Sequence, residues 1–257
     1  MSELVVVSDP RPAVRLITLR RPEKKNALTR AMYDAVTSAL KVADAERGVR
    51  VVCLTGAGDA FTAGNDIADF RSAPPPVSHE AGAGGFIAAV AGMGKPVIAA
   101  VNGLAVGIGT TILLHCDLVY AAAGARFQLP FVNLGIVPEA GSTLILPGWL
   151  GRRRAAELLL FGEPLTAAAA ERWGLVNCVF PEGEMMDRVL ERAETLAAKP
   201  TRVVKLIKRL FTTPATSVRH RAEEEMRLLV EQLDAPEAKE AMQAFIERRQ
   251  PNFSGFE

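Results

Sequence analysis

The stretch that most constrains this chain is Lys95–Asp117, KPVIAAVNGLAVGIGTTILLHCD. Val97–Val101 is a short apolar run of the kind buried on both faces of a parallel sheet. It stops at Asn102-Gly103, and beyond Gly107 and Gly109 the run Ile108–Leu114 takes on helical spacing. A strand, a glycine-lined corner and a helix start therefore follow one another directly. A helix start exposes backbone N–H groups that have no intrahelical acceptor. Glycines let a ligand come close to such a main chain. The segment has the shape of an oxyanion hole, in which N–H groups grip an oxygen that carries or develops negative charge. A second reading stays open: the small residues of Gly103–Gly109 serve only to pack a helix tightly on a sheet. Gly107-Ile108-Gly109 also opens a dinucleotide-binding G-x-G-x-x-G pattern, but its third glycine is Ile112 here. The acidic residue expected about twenty positions on is missing as well, since Asp117 comes too early and Glu139 too late.

A chain of 257 residues, 49% hydrophobic and 23% charged, can bury a proper core. Its 30 basic and 29 acidic residues leave a net charge of +1, so nothing global draws it to nucleic acid or an anionic membrane. Cys53, Cys116 and Cys178 are odd in number and set in apolar runs, which predicts buried free thiols in a reducing compartment. The N-terminal residues lack the charged and apolar regions of a signal peptide, and no long apolar run suggests a membrane span. Cytoplasmic residence is the expectation.

Leu4–Ser8 and Val14–Leu19, separated by Asp9-Pro10-Arg11-Pro12, predict an antiparallel pair. Thr29 reads as the N-cap of a helix bearing Met32, Val36, Ala39, Leu40 and Ala43 on one side. Val49–Thr55 follows as a buried strand, and Gly56–Ile67 as a second loop able to present N–H groups. Arg71–Phe86 carries Pro74-Pro75-Pro76 and several small residues, which predicts a mobile lid. Ile87–Met93 resumes a helical pattern. Leu118–Ala122 and Arg126–Leu129 read as strands, and Phe131–Thr143 as an apolar loop placing Glu139 just ahead of a helix. Helical patterns then cover Arg152–Phe161, Ala167–Trp173, Glu184–Ala198, Thr201–Phe211, Ser217–Leu233 and Pro236–Arg248, with a strand at Leu175–Phe180. Strands alternating with helices, then helices alone, argue an α/β fold with a helical C-terminal region.

The motifs RPEKKNAL (Arg21–Leu28), FTAGNDI (Phe61–Ile67), KPVIAAVNGLAVGIG (Lys95–Gly109), CDLVYAA (Cys116–Ala122), LGIVPEAGST (Leu134–Thr143) and AFIERRQPNF (Ala244–Phe253) together resemble the crotonase, or enoyl-CoA hydratase/isomerase, superfamily over essentially the whole chain. The resemblance implies a spiral of ββα units over residues 1–183 that holds the site. It also implies a helical oligomerisation and lid region over residues 184–257, and a homotrimer or dimer of trimers. The implied substrates are acyl-CoA thioesters, with coenzyme A part of the substrate, no separate cofactor, no metal and no membrane or nucleic-acid partner. By position, the oxyanion N–H groups fall on Asn65 and Ile108. Ala63, Gly64, Asn65, Asp66 and Ile67 fall on the coenzyme A channel with Ala27 and Leu28 opposite. Lys24 and Lys25 fall near phosphate, although solvated loop charges explain them equally. Asp66 also reads as a loop-stabilising carboxylate.

The pattern departs from the hydratases, whose two glutamates correspond to Thr111 and Phe131 here. Neither residue moves a proton at neutral pH, whereas hydration needs a base for water and an acid for carbon. The remaining carboxylate, Glu139, sits where the Δ3,Δ2-enoyl-CoA isomerases carry theirs. That implies a one-glutamate double-bond shift, with hydration, other thioester-enolate chemistry or a catalytically silent acyl-CoA- or RNA-binding homologue as alternatives. Phe131, Leu134, Ile136 and Val137 suggest an apolar wall that would raise the pKa of Glu139. A helix-start carboxylate favoured by the dipole is the plainer reading of the same residue. His115-Cys116-Asp117 reads as a buried structural cluster rather than a catalytic dyad or metal site, and Lys205, Lys208 and Arg209 as a solvated helix face.

Overall fold

The structure is a computed structural model that describes residues 4–72 and 81–256. The N-terminal antiparallel pair forms as expected, β1 (Val5–Arg11) on β2 (Val14–Leu19), but Asp9-Pro10-Arg11 continue β1 through a register irregularity and the chain turns later, at Ala13, whose φ is 58°. Beyond it the strands come in pairs. β3 (Val51–Gly56) leads into β4 (Ala60–Thr62), β5 (Val97–Val101) into β6 (Leu104–Val106), and β7 (Leu118–Ala122) into β8 (Arg126–Gln128). β9 (Leu165–Thr166) and β10 (Cys178–Phe180) follow. The first member of each pair joins a six-stranded sheet, β1-β2-β3-β5-β7-β10, parallel from β2 onward. The second members, with β9 added antiparallel to β8, build a four-stranded sheet, β4-β6-β8-β9. This repeated step between two sheets is the spiral of ββα units expected of the chain, in an α/β architecture.

α1 (Arg30–Ala45) starts at Thr29, whose hydroxyl accepts from the Met32 N–H at 3.3 Å. It buries Met32, Tyr33, Val36, Leu40 and Ala43 against one face of the large sheet. Short helices follow the second strands: α2 (Ile67–Ser72) and α3 (Gly82–Ala91) after β4, and α4 (Ile108–Thr111) after β6. Then come α5 (Ser142–Leu150), α6 (Arg152–Phe161), α7 (Ala167–Trp173) and α8 (Met185–Ala197). The opposite face of the large sheet, with Val14, Val51, Cys53, Ile98 and Ala100, is closed by Met185, Val189, Leu190, Ala193 and Ala197 of α8. Each large aliphatic side chain buried there contributes about 1.5–3 kcal/mol. The anticipated boundary at residues 183 and 184 thus falls ahead of a helix that completes the sheet's own core. α9 (Thr201–Thr212), α10 (Val218–Leu233) and α11 (Pro236–Glu247) carry the remainder.

Several expectations change. The lid anticipated over Arg71–Phe86 falls partly on residues 73–80, which lie outside the described residues. The flanks on either side are helical, in α2 and α3. The helix read over Ile108–Leu114 is one α-turn that tightens into a 3₁₀ segment at Ile112–His115. β10 covers only the end of the run Leu175–Phe180. Cys53 and Cys116 are buried and burial pushes both thiols up to about 12, whereas Cys178 is half-buried. Lys208 is not on a solvated face: it is buried, and its ammonium donates to Asp117 Oδ2 at 2.7 Å and to the Lys95 carbonyl at 2.8 Å. Asp117 also accepts from the Val97 N–H at 2.7 Å, so α9 is tied to the start of β5. Lys205 and Arg209 are exposed.

Candidate active site

The two glycine-bearing loops meet at the mouth of the small sheet. Gly64, after β4, has φ 87°, and a Cβ there would lie 2.7 Å from the Val106 carbonyl oxygen. No residue but glycine satisfies both the conformation and the approach. Gly107 has φ 55° and ψ −118° with open space where a side chain would be, so the turn itself requires the glycine. Gly109 differs from both: an added Cβ would lie 2.6 Å from the Thr62 methyl, so it allows α4 to pack on β4. The packing reading of the glycine-rich corner thus applies at Gly109, whereas Gly64 and Gly107 are required by the course of the two loops.

The loop peptides are aimed by their neighbours. The Gly64 carbonyl accepts from the Leu28 N–H at 2.7 Å, and the Leu28 carbonyl accepts from the Asp66 N–H at 2.9 Å. Across a trans peptide the N–H points opposite to the carbonyl, so the Asn65 N–H turns away from Leu28. The Ile108 N–H opens α4 and has no place in its ladder. Among the described residues neither N–H has an acceptor. Ala63, Gly64, Asn65, Ile67, Gly107 and Ile108 line one cavity of about 210 Å³, completed by Val106, Pro130, Phe131, Leu134 and Ile136. Two unpaired N–H donors on opposing loops of an apolar cavity can hold an oxygen on which charge develops.

Glu139 does not line this cavity; its side chain meets the end of α4, the helix that Ile108 opens. Glu139 is half-buried, and its Oε1 accepts a short hydrogen bond from the Thr111 hydroxyl. Thr111, in the last turn of α4, is itself 1% exposed. Burial pushes the Glu139 carboxyl above its ordinary value, and the Thr111 hydroxyl partly opposes that. The Glu139 carbonyl accepts from Ser142 Oγ at 2.7 Å, which seats the loop on the first turn of α5. His115 Nε2 donates to the Ala140 carbonyl at 2.9 Å, bracing a residue held at φ 56°. The apolar wall is composed differently from the expected one. Phe131, Leu134 and Ile136 line the cavity, but Val137 is 83% exposed and shields nothing.

The other anticipated residues divide by what they touch. Leu28 is buried in the core, and the segment containing Ala27 and Leu28 runs beside residues 63–66 as expected. Neither residue lines the cavity. The Asp66 carboxylate accepts from Arg21 Nη1 at 2.6 Å and from the N–H groups of Ala68 and Asp69 at the start of α2, and these bonds hold its pKa down. That is the loop-stabilising role. Lys25 pairs with Asp59 on the exposed rim, and Lys24 is exposed beside it.

Two residues of this region escaped the sequence reading. Asn26 is fully buried at φ 55°. Its Nδ2 donates to the carbonyls of Ala57 and Ala60, its Oδ1 accepts from the Arg21 N–H at 2.8 Å, and its carbonyl accepts from Thr62 Oγ1 at 2.7 Å. It fastens the Arg21–Leu28 segment to the loop after β3, and its place within KKNAL was the available signal. Tyr33 donates its hydroxyl to Asn65 Oδ1 at 2.5 Å. The sequence reading did not single it out, because nothing local to α1 marks its partner 32 residues away.

Known proteins place the chain in a family. The sequence profile described as Enoyl-CoA hydratase/isomerase matches residues 10–256. The chain belongs to the enoyl-CoA hydratase/isomerase family. Rat "Enoyl-CoA delta isomerase 2" is 38% identical over 91% of this chain, which spans 61% of that longer protein. Escherichia coli "2,3-dehydroadipyl-CoA hydratase" is 33% identical over 99% of this chain and 100% of its own length. Among solved structures, a Magnetospirillum magneticum AMB-1 protein provisionally described as an enoyl-CoA hydratase/carnithine racemase superposes with a TM-score of 0.95 at 44% identity, covering 99% of this chain and 100% of that one. This member of the crotonase superfamily thus stands close to isomerases and hydratases alike. Among its described residues, no helix is long and apolar enough to cross a membrane.

Proposed function

We propose that this protein is a Δ3,Δ2-enoyl-CoA isomerase that uses Glu139 as its single proton carrier. The observation that carries the proposal is the Glu139 carboxyl, half-buried with a raised pKa and held by Thr111 within α4, the helix whose first residue is Ile108. The residue standing at the other hydratase glutamate position, Phe131, is a wall of the cavity.

The thioester oxygen accepts from the N–H groups of Asn65 and Ile108. The Glu139 carboxylate removes a proton from C2, and the electron pair left behind delocalises onto the thioester oxygen on one side and through the C3–C4 double bond onto C4 on the other, as a dienolate. Protonated Glu139 then returns the proton to C4, leaving the double bond between C2 and C3 and the carboxylate regenerated. One carboxylate balances both transfers, and no water enters. Each preorganised N–H donor lowers the barrier by about 3 kcal/mol. A raised carboxyl pKa makes Glu139 a better base for carbon than a solvated glutamate.

In this scheme the coenzyme A moiety runs along the main chain of residues 63–67. Lys24 and Lys25 stand at the rim for its phosphates, and the apolar acyl chain faces Phe131, Leu134 and Ile136. Assembly into a trimer or dimer of trimers through the C-terminal helices belongs to the same proposal. The deciding experiment is the product formed from trans-3-hexenoyl-CoA. Conversion to the 2-enoyl thioester without a hydroxyacyl product supports the isomerase; no turnover alongside retained coenzyme A binding overturns it.

A further inference from the structure

Tyr33 sits on α1, outside the two loops, and is 4% exposed. Its ring lies against Phe86 of α3 with centroids 6.1 Å apart and planes tilted by 47°. Its hydroxyl emerges from this apolar contact to meet the Asn65 carboxamide at 2.5 Å. Asn65 lines the cavity and makes no other side-chain hydrogen bond among the described residues. Among the described residues the phenol is therefore the one polar tether on the side chain of Asn65, whose N–H the proposed function assigns to the thioester oxygen.

The chemistry of that tether is one-way. Burial first, and then the charges of Glu139 and Asp69, push the Tyr33 hydroxyl far above its ordinary value. Tyr33 thus meets Asn65 Oδ1 as a neutral phenol that donates its proton. Asn65 is already held by backbone bonds on either side, through the Gly64 carbonyl and the Asp66 N–H to Leu28. A tether from a core helix to its side chain adds what those bonds lack, resistance to rotation of the loop about the Leu28 pairing. An oxyanion donor works by not reorganising as charge develops, so this stiffness bears on the rate rather than on ground-state binding.

We propose that Tyr33 is a positioning residue for the oxyanion hole, acting through the Asn65 carboxamide to fix the loop that donates to the thioester. The inference rests on the proposed function, and its test separates the two. The probe is 2,4-hexadienoyl-CoA, whose conjugated thioester shifts its absorbance to longer wavelength when the carbonyl is polarised. A wild-type protein that binds this probe without a red shift has no working hole, which overturns both readings. With the wild-type shift established, Tyr33→Phe keeps the ring on Phe86 and removes only the hydroxyl. It is expected to shrink the red shift and lower kcat for 3-enoyl-CoA by about 3- to 10-fold, the range of one hydrogen bond, with KM within two-fold.

Asn65→Ala keeps the backbone N–H and removes the partner of Tyr33, so it should lose the same factor. The double variant should lose no more than either single one. A merely structural tyrosine would lower the melting temperature while leaving kcat and the red shift of the folded variant at wild-type values, and that result overturns the inference. Fully additive losses in the double variant would overturn it too.

Discussion

Thr111→Val isolates the contact between Thr111 and Glu139. Valine has nearly the shape of threonine and would fill the same buried place in α4, but it cannot donate to Oε1. Hydrogen bonds to charged groups contribute about 1.5–3 kcal/mol, and one pKa unit corresponds to about 1.36 kcal/mol. Losing the donor should therefore move the titration of Glu139 upward by about one to two pH units, adding to the rise that burial already causes. Activity requires the carboxylate, so the acidic limb of kcat/KM against pH should move to higher pH by that amount, with a plateau reached only at higher pH.

Stability should move in a linked way. The folded pKa of Glu139 is raised above its unfolded value, so its favourable contribution is present at low pH and lost as pH rises through the folded pKa. The variant's deficit against wild type should widen over that window. The assay is the pH profile of 3-enoyl-CoA isomerisation for both proteins, with thermal melts at the same pH values. Coincident acidic limbs would refute the reasoning, because the titrating base would then not be the carboxylate that Thr111 holds.

Further outcomes follow from the same geometry. Gly64→Val should displace the first loop, because its side chain would meet the Val106 carbonyl at a backbone angle that valine rarely adopts; unchanged acetyl-CoA affinity in a folded variant would contradict this. Crotonyl-CoA hydration should be negligible beside isomerisation, since Phe131 has no proton to give and Thr111 is committed to Glu139; comparable rates of the two reactions would count against it. Met226, Val230, Phe245 and Ile246 on α10 and α11 are 60%, 58%, 85% and 74% exposed, an apolar surface that suits subunit contact. Light scattering should give a trimer or hexamer, and a stable monomer at micromolar concentration would contradict that.

What the sequence made legible was set by local chemistry. The buried run Val97–Val101, the Thr29 cap and the amphipathic C-terminal segments specify their elements within a few residues of chain, and they form where expected. Of the small sheet only β8 was read, as Arg126–Leu129; β4, β6 and β9 were missed, being only three, three and two residues long, too short to show a period of two. They exist because each is paired by a strand distant in sequence. Lys208 was misread for a related reason: its charge suits a solvated face, and only the fold brings Asp117 beneath it. At the site, the motifs pointed to Asn65, Ile108 and Glu139; Asn65 and Ile108 line one cavity, whereas Glu139 does not line it and meets Thr111 of α4 instead. The supporting contacts of Tyr33, Asn26 and His115 join residues far apart in the chain, which no spacing rule records.

The role of Glu139 is tested by Glu139→Gln. Glutamine keeps the size of the side chain and an oxygen that can accept from Thr111, but it carries no exchangeable acid proton. Isomerisation of trans-3-hexenoyl-CoA should fall by about two to four orders of magnitude, the usual contribution of general acid–base catalysis. Affinity for acyl-CoA and the 2,4-hexadienoyl-CoA red shift should persist, because the N–H donors of Asn65 and Ile108 are untouched. A folded Gln variant that binds acyl-CoA normally and still isomerises within a few-fold of wild type would contradict the one-glutamate mechanism.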